Sequence, residues 1–180
     1  MIEIRIHGRG GQGSVTMAEL LAEAVFYDGK FSQAFPNFGV ERRGAPVTAY
    51  VRVDEKYIRL RSQVYSPDVV IIQDSSLIGG VDVFAGLTDG GMAVINVSSE
   101  TPEIKAPNNI KVHTIDAKKL ALEIIGKPII NTIMLGVFAG ITGIVKMESV
   151  EKVIRERFSG DIAEKNVLAA KRGFELINNE

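Results

Sequence analysis

The chain has 180 residues, 46% of them hydrophobic and 24% charged, the balance of one globular domain over residues 1–180 with its own core. A net charge of -1 gives no overall attraction to nucleic acid or to a membrane surface. With no cysteine and two histidines, His7 and His113, the composition excludes a disulfide framework, a cysteine nucleophile, a zinc ribbon, a cysteine-ligated iron–sulfur cluster and a histidine-rich metal site.

Met1–His7 alternates, with Ile2, Ile4 and Ile6 on one side and Glu3, Arg5 and His7 on the other, which predicts a strand with one polar face. Gly8–Gly13 follows as a turn. Ser14–Tyr27 reads as a helix whose apolar stripe is Met17, Ala18, Leu21, Ala24 and Val25, ended by Asp28-Gly29. Phe31–Phe35 is a short strand, and Pro36–Pro46 a long loop. Val47–Val53 and Tyr57–Arg61 both alternate around Asp54-Glu55-Lys56, which predicts a β-hairpin.

Asp68–Gln73 and Met92–Val97 are continuous apolar runs, expected as central strands covered on both faces, with a helix over Ser75–Phe84 between them. Lys111–Ile115 is a further strand, and Asp116 is placed to cap a helix over Ala117–Ile125. Thr132–Val145 is a helix with Gly136, Gly140 and Gly143 on one face, where another backbone can approach. Asn131 is its expected cap. Glu148–Phe158 and Asp161–Asn178 are amphipathic helices. The uncharged stretch Ile129–Val145 is short for a bilayer and carries Asn131, Thr132 and Thr142, so a buried helix is expected rather than a span. No secretion signal is visible, so the expected location is cytoplasmic. The elements together predict an α/β domain, three layers α/β/α, with a mixed, mostly parallel sheet that includes one antiparallel β-hairpin.

Gly8, Gly10 and Gly13 within His7-Gly8-Arg9-Gly10-Gly11-Gln12-Gly13 have G-x-G-x-x-G spacing between a strand and a helix. Two readings stand: a tight connection, or backbone amides and Arg9 facing a phosphate at a helix start. A dinucleotide site would also need an acid at the end of the second strand. Pro36 follows that strand instead, which disfavours a free-standing nucleotide-dependent oxidoreductase. Seven of the ten arginines lie before residue 62, which hints at a local anion site, with solvated strand edges as the plainer explanation. His7 lacks a carboxylate partner nearby and reads as a structural hydrogen-bonding group.

Gln33-Ala34-Phe35-Pro36-Asn37-Phe38-Gly39-Val40-Glu41-Arg42-Arg43-Gly44-Ala45-Pro46, with the glycine-rich turn upstream and Asn131-Thr132-Ile133-Met134-Leu135-Gly136 downstream, resembles the gamma subunits of the 2-oxoacid:ferredoxin oxidoreductases, most closely the pyruvate branch (pyruvate synthase). The resemblance covers nearly the whole chain. It implies a complex that converts pyruvate, coenzyme A and oxidised ferredoxin to acetyl-CoA, CO2 and reduced ferredoxin. Another 2-oxoacid, 2-oxoisovalerate or 2-oxoglutarate, is the alternative substrate. It further implies alpha, beta and delta-type partner subunits, with thiamine diphosphate and iron–sulfur clusters held by those partners and no cofactor, metal or catalytic residue in this chain alone.

Within that resemblance, Gly8, Arg9, Gly10, Gly11, Gln12, Gly13, Arg42 and Arg43 are candidates for contact with coenzyme A phosphates. Arg42 and Arg43 could equally pair with a partner subunit, with Glu41 orienting one of them. Phe35, Pro36, Phe38, Glu41, Gly136 and Gly140 are candidate interface residues, with intradomain packing the alternative for the aromatics. A purely structural scaffold that touches no ligand is the remaining alternative function.

Overall fold

The computed structural model describes residues 1–37 and 42–178, residue 178 by its backbone alone. Phe38 and Glu41, two of the interface candidates, lie outside the described residues.

Strands β1 (Ile2–Arg9), β2 (Phe31–Pro36), β3 (Pro46–Asp54), β4 (Val69–Ile72), β5 (Met92–Asn96) and β6 (Lys111–Ile115) form one six-stranded sheet in the order β2-β3-β1-β4-β5-β6. β1 is parallel to β4, β4 to β5 and β5 to β6, whereas β3 is antiparallel to both β1 and β2. The sheet is therefore mixed and mostly parallel, as expected, but its antiparallel part is built differently. Tyr57–Arg61 forms no strand. β3 already has β2 on one side and β1 on the other, so no edge is left for a hairpin partner. The chain after Asp54 instead runs as irregular structure held down by buried Ile58 and Val64.

Helices α1 (Ser14–Tyr27), α2 (Ala117–Ile124), α3 (Asn131–Thr142), α4 (Met147–Arg157) and α5 (Gly160–Asn178) share one core with Ile4, Ile6, Val51, Val53, Val69, Ile71 and Val94 of the sheet. The stripe predicted for α1 is buried throughout. Asp116 caps α2 by accepting from the Lys119 amide at 2.9 Å. α3 stops at Thr142 because Gly143 turns left-handed, φ 61°. Gly136 does receive another backbone, that of Ala170 on α5, so its close approach is satisfied within the chain. Gly140 is half-buried on the same helix.

The opposite face, Val70, Ile72, Ala93 and Ile95, is covered by Leu77, Val83 and irregular chain around a single 3-10 turn, Ser75–Leu77. The longer helix expected there does not form. Gly79 and Gly80 interrupt it, Gly79 with φ 93°. Among the described residues, no helix is long and apolar enough to cross a membrane.

Candidate functional site

β1 is buried on both faces, Ile4 and Ile6 beneath the helices and Arg5 and His7 beneath the irregular layer that carries Val83 and Ala85. The predicted polar face of Glu3, Arg5 and His7 is therefore largely enclosed: Arg5 is 7% exposed and His7 5%. Arg5 Nε donates to His7 Nε2 at 3.0 Å, and Arg5 Nη2 donates to the Val83 and Ala85 carbonyls of the irregular layer. Burial, with the Arg5 charge second, lowers the His7 pKa to about 4. His7 is neutral near pH 7, an acceptor for Arg5 rather than an acid–base catalyst.

Arg52, 1% exposed, plays a similar part. Its Nε donates to Glu3 Oε1 at 2.7 Å, its other nitrogens reach Gln33 and the Gln63 carbonyl, and its guanidinium lies over the Phe35 ring. Phe35 also meets Tyr50, and Pro36 ends β2, both half-buried. Two of the seven N-terminal arginines thus act as buried clamps, a role that neither an anion site nor a solvated edge anticipates.

The glycine-rich turn lies at the carboxyl end of β1. Its glycines are needed by the chain itself. The Gly10 amide donates to Ala45 O at 2.9 Å, and the Gly44 amide to Gly10 O at 3.1 Å. A Cβ at Gly10 would overlap the Arg42 carbonyl. Gly13 has φ 80°, and a Cβ there would meet the Asn131 side-chain nitrogen at 2.8 Å. The turn thus joins the Arg42–Ala45 segment on one side and the start of α3 on the other. The three sequence segments that carried the family resemblance meet at this corner.

Arg9 is not free. Its guanidinium bonds Ser76 Oγ and the Gly44 carbonyl and pairs with Asp74 at 3.3 Å. Gln12 takes the Arg9 amide on its Oε1 and donates from Nε2 to Asp74. Burial works against the Asp74 charge, but bonds from Ser76 and Gln12, with Arg9 beside them, hold its carboxyl below the usual range. Arg42 and Arg43 are exposed, and neither forms an ion pair among the described residues.

Beside the turn opens a cavity of about 730 Å³, lined by both polar and apolar groups. It sits at the carboxyl ends of β1, β4 and β5, where open α/β sheets bind ligands. Gly11, Gly13, Arg43, Gln73, Asn131 and Lys118 are among its walls. Of the sequence-predicted ligand candidates, Arg9, Gly10, Gly11, Gln12, Gly13 and Arg43 reach it. Buried Gly8 stands behind it against Ser14 and Gln73, and Arg42 does not line it.

Sequence reading did not single out Lys118, Asp74 or Gln73. The available signal was position: Gln73-Asp74 follows a parallel strand at its carboxyl end, the end at which open α/β sheets in general bind ligands. Asn131 was read as a cap. It is instead the first residue of α3, and its Oδ1 accepts the Thr132 amide at 3.0 Å.

The pyruvate ferredoxin/flavodoxin oxidoreductase family matches residues 3–176. The chain belongs to that family, as a gamma-type subunit. It is 56% identical to the pyruvate synthase subunit PorC of Methanothermobacter thermautotrophicus, over 98% of this chain and 96% of the relative. It is 55% identical to the gamma subunit common to the pyruvate and ketoisovalerate oxidoreductases of Thermococcus litoralis, over 97% and 96%. The crystal structure of pyruvate oxidoreductase subunit PORC from Thermotoga maritima superimposes with a TM-score of 0.84 at 36% identity, covering 97% of this chain and 95% of that one. The chain is therefore a subunit of an oxidoreductase, with the α/β fold of its relatives.

Proposed function

We propose that this chain serves a pyruvate:ferredoxin oxidoreductase complex on its coenzyme A side. There the complex converts pyruvate and coenzyme A to acetyl-CoA and CO2 in the cytoplasm and passes the electrons to ferredoxin. Alpha, beta and delta-type subunits hold the thiamine diphosphate and iron–sulfur clusters. The cysteine-free sequence fits that division, since cluster ligation needs thiolates. The carrying observation is the corner itself. Arg42 and Arg43 are exposed and without ion pairs among the described residues, and both are held by the glycine-rich turn, Arg43 in the wall of the cavity at the carboxyl ends of β1, β4 and β5 and Arg42 next to it in the chain. Coenzyme A brings a pyrophosphate and a 3′-phosphate, which guanidinium groups recognise by paired charged hydrogen bonds.

The 2-oxoacid is chosen outside this chain. Near-equal identity to a pyruvate synthase subunit and to a subunit shared with a ketoisovalerate enzyme supports that reading. In the assembled enzyme, Arg42→Ala combined with Arg43→Ala raises the KM for coenzyme A by about tenfold or more, from the loss of charged hydrogen bonds. The KM for pyruvate stays unchanged. An intact complex with both constants unmoved would refute the ligand role. A complex that falls apart would show instead that these arginines dock a partner subunit.

A further inference from the structure

β2 is the end strand of the sheet, paired to β3 alone among the described residues. The register shows which of its main-chain groups are open. The Asn37 amide donates to Thr48 O at 2.8 Å, one step beyond the Pro36–Ala49 pair. Bonded and non-bonded pairs alternate along antiparallel strands, so Phe31, Gln33 and Phe35 turn their main-chain groups to β3, and Ser32, Ala34 and Pro36 turn theirs outward. The amides and carbonyls of Ser32 and Ala34 meet no partner among the described residues. Pro36, which has no amide, ends the open stretch.

Two surfaces flank this edge. On one face, residues 55–65 run alongside β2. Tyr57 stands edge-on to Phe31, with ring centroids 6.1 Å apart, and Gln63 Nε2 donates to Asn37 Oδ1 at 2.7 Å. This stretch carries Lys56, Arg59 and Arg61 against Glu55, all exposed, and none of the three cations forms an ion pair among the described residues. On the other face, Ser32 Oγ donates to the Ala22 carbonyl, and a cavity of about 350 Å³ opens between β2 and the end of α1. Ala22, Phe26 and Tyr27 are in its wall, and Phe26 is 66% exposed. None of these residues lines the cavity beside the glycine-rich turn.

We infer that the β2 edge receives an extended segment of a partner subunit whose side chains alternate between acidic and apolar. The segment pairs with the open groups of Ser32 and Ala34 as a further strand. Because successive side chains of a strand point to opposite faces, its acidic ones meet the cations of residues 55–65 and its apolar ones enter the cavity beside Phe26. Charge selects this occupant. A second copy paired antiparallel along the same edge keeps like faces on the same side, which would set residues 55–65 of the two copies next to each other and oppose like charges. An acidic segment instead neutralises them. Such a partner belongs to the complex proposed above, on which the inference rests.

The test is titration of the full chain onto the other subunits of the complex, purified together. Arg59→Glu with Arg61→Glu reverses two exposed charges on irregular chain, and Ala34→Pro removes an amide that the fold does not use. Each should leave the melting temperature of the free chain unchanged and weaken its binding about tenfold or more. Added salt should weaken the wild-type chain but not the charge-reversed one. Should Ala34→Pro fail to fold, the arginine variant decides alone. An arginine variant that binds as tightly as wild type overturns the inference and keeps the complex, and so does a folded Ala34→Pro chain with undiminished binding. A free wild-type chain that sediments as a dimer, and as a monomer once Ala34→Pro is introduced, overturns it in favour of a second copy. A wild-type chain that binds none of the other subunits defeats the complex itself, and the inference with it.

Discussion

Replacing Gly136 by alanine sets two effects against each other. Alanine is the better helix former by about 1 kcal/mol, so propensity alone stabilises α3. The new Cβ, however, would overlap the main chain of Ala170 on α5, coming within 2.6 Å of its carbonyl carbon and 2.9 Å of its Cα. Those atoms belong to a helix backbone and cannot rotate aside, so α3 and α5 must move apart. Overfilling a core costs about 1–3 kcal/mol, and a backbone collision belongs at the upper end. The net is a loss of about 2 kcal/mol, since propensity recovers about 1. In a domain of this size that lowers Tm by about 4–8 °C. Differential scanning calorimetry measures it directly. Adding Ala170→Gly should not rescue the variant, because the colliding atoms are main chain. A Tm that is unchanged or raised would refute the packing argument.

Two further outcomes follow from the buried polar groups. His7 titrates at about 4 in the folded chain, against an ordinary 6.5. The unfolded state therefore binds the extra proton between those values, and stability falls as pH drops from 6.5 to 4, by about 3 kcal/mol in all. Urea unfolding across that range should show a shallower dependence in His7→Gln, and parallel curves would contradict the assignment. Arg52→Met leaves the half-enclosed Glu3 carboxylate without its partner, for a loss of about 3–5 kcal/mol. Adding Glu3→Gln should recover part of that loss in the same assay, whereas a fully additive double variant would show that the pair is not coupled.

Elements set by local pattern could be read closely from the sequence. The 3.6-residue stripe of α1 and the cap at Asp116 are where periodicity and a single side chain put them. Tyr57–Arg61 alternates as well as any strand, but pairing is a property of the sheet, and both sides of β3 were taken. The stretch after Ser75 carries enough apolar residues for a helix, yet those side chains cover Val70, Ile72, Ala93 and Ile95 from an irregular path around Gly79 and Gly80. The site was legible as three separate motifs. Their meeting was not, because the contacts of Gly10 with Arg42 and of Gly13 with Asn131 join positions far apart in the chain. No local rule assigns a glycine to a distant carbonyl.

That meeting changes what the glycines and arginines of this chain mean. Glycine spacing alone suggests a cradle for phosphate, but here each glycine of the pattern is occupied by protein: Gly8 by Ser14 and Gln73, Gly10 by the Arg42 carbonyl, Gly13 by Asn131. The arginines divide in the same way. Arg5 and Arg52 are spent on carbonyls and carboxylate inside the fold, and Arg9 on Asp74, Ser76 and Gly44. What stays without an ion pair among the described residues is Arg43 and Lys118, which line the cavity with Asn131, and Arg42 next to Arg43. If the glycine turn is there to place these groups, then enlarging Gly10 should displace Arg42 and Arg43 and weaken coenzyme A use without removing a single charge. Gly10→Ala in the assembled enzyme should therefore imitate the double arginine variant in its KM for coenzyme A. A Gly10→Ala enzyme with wild-type KM would mean that the turn and the arginines serve separate ends.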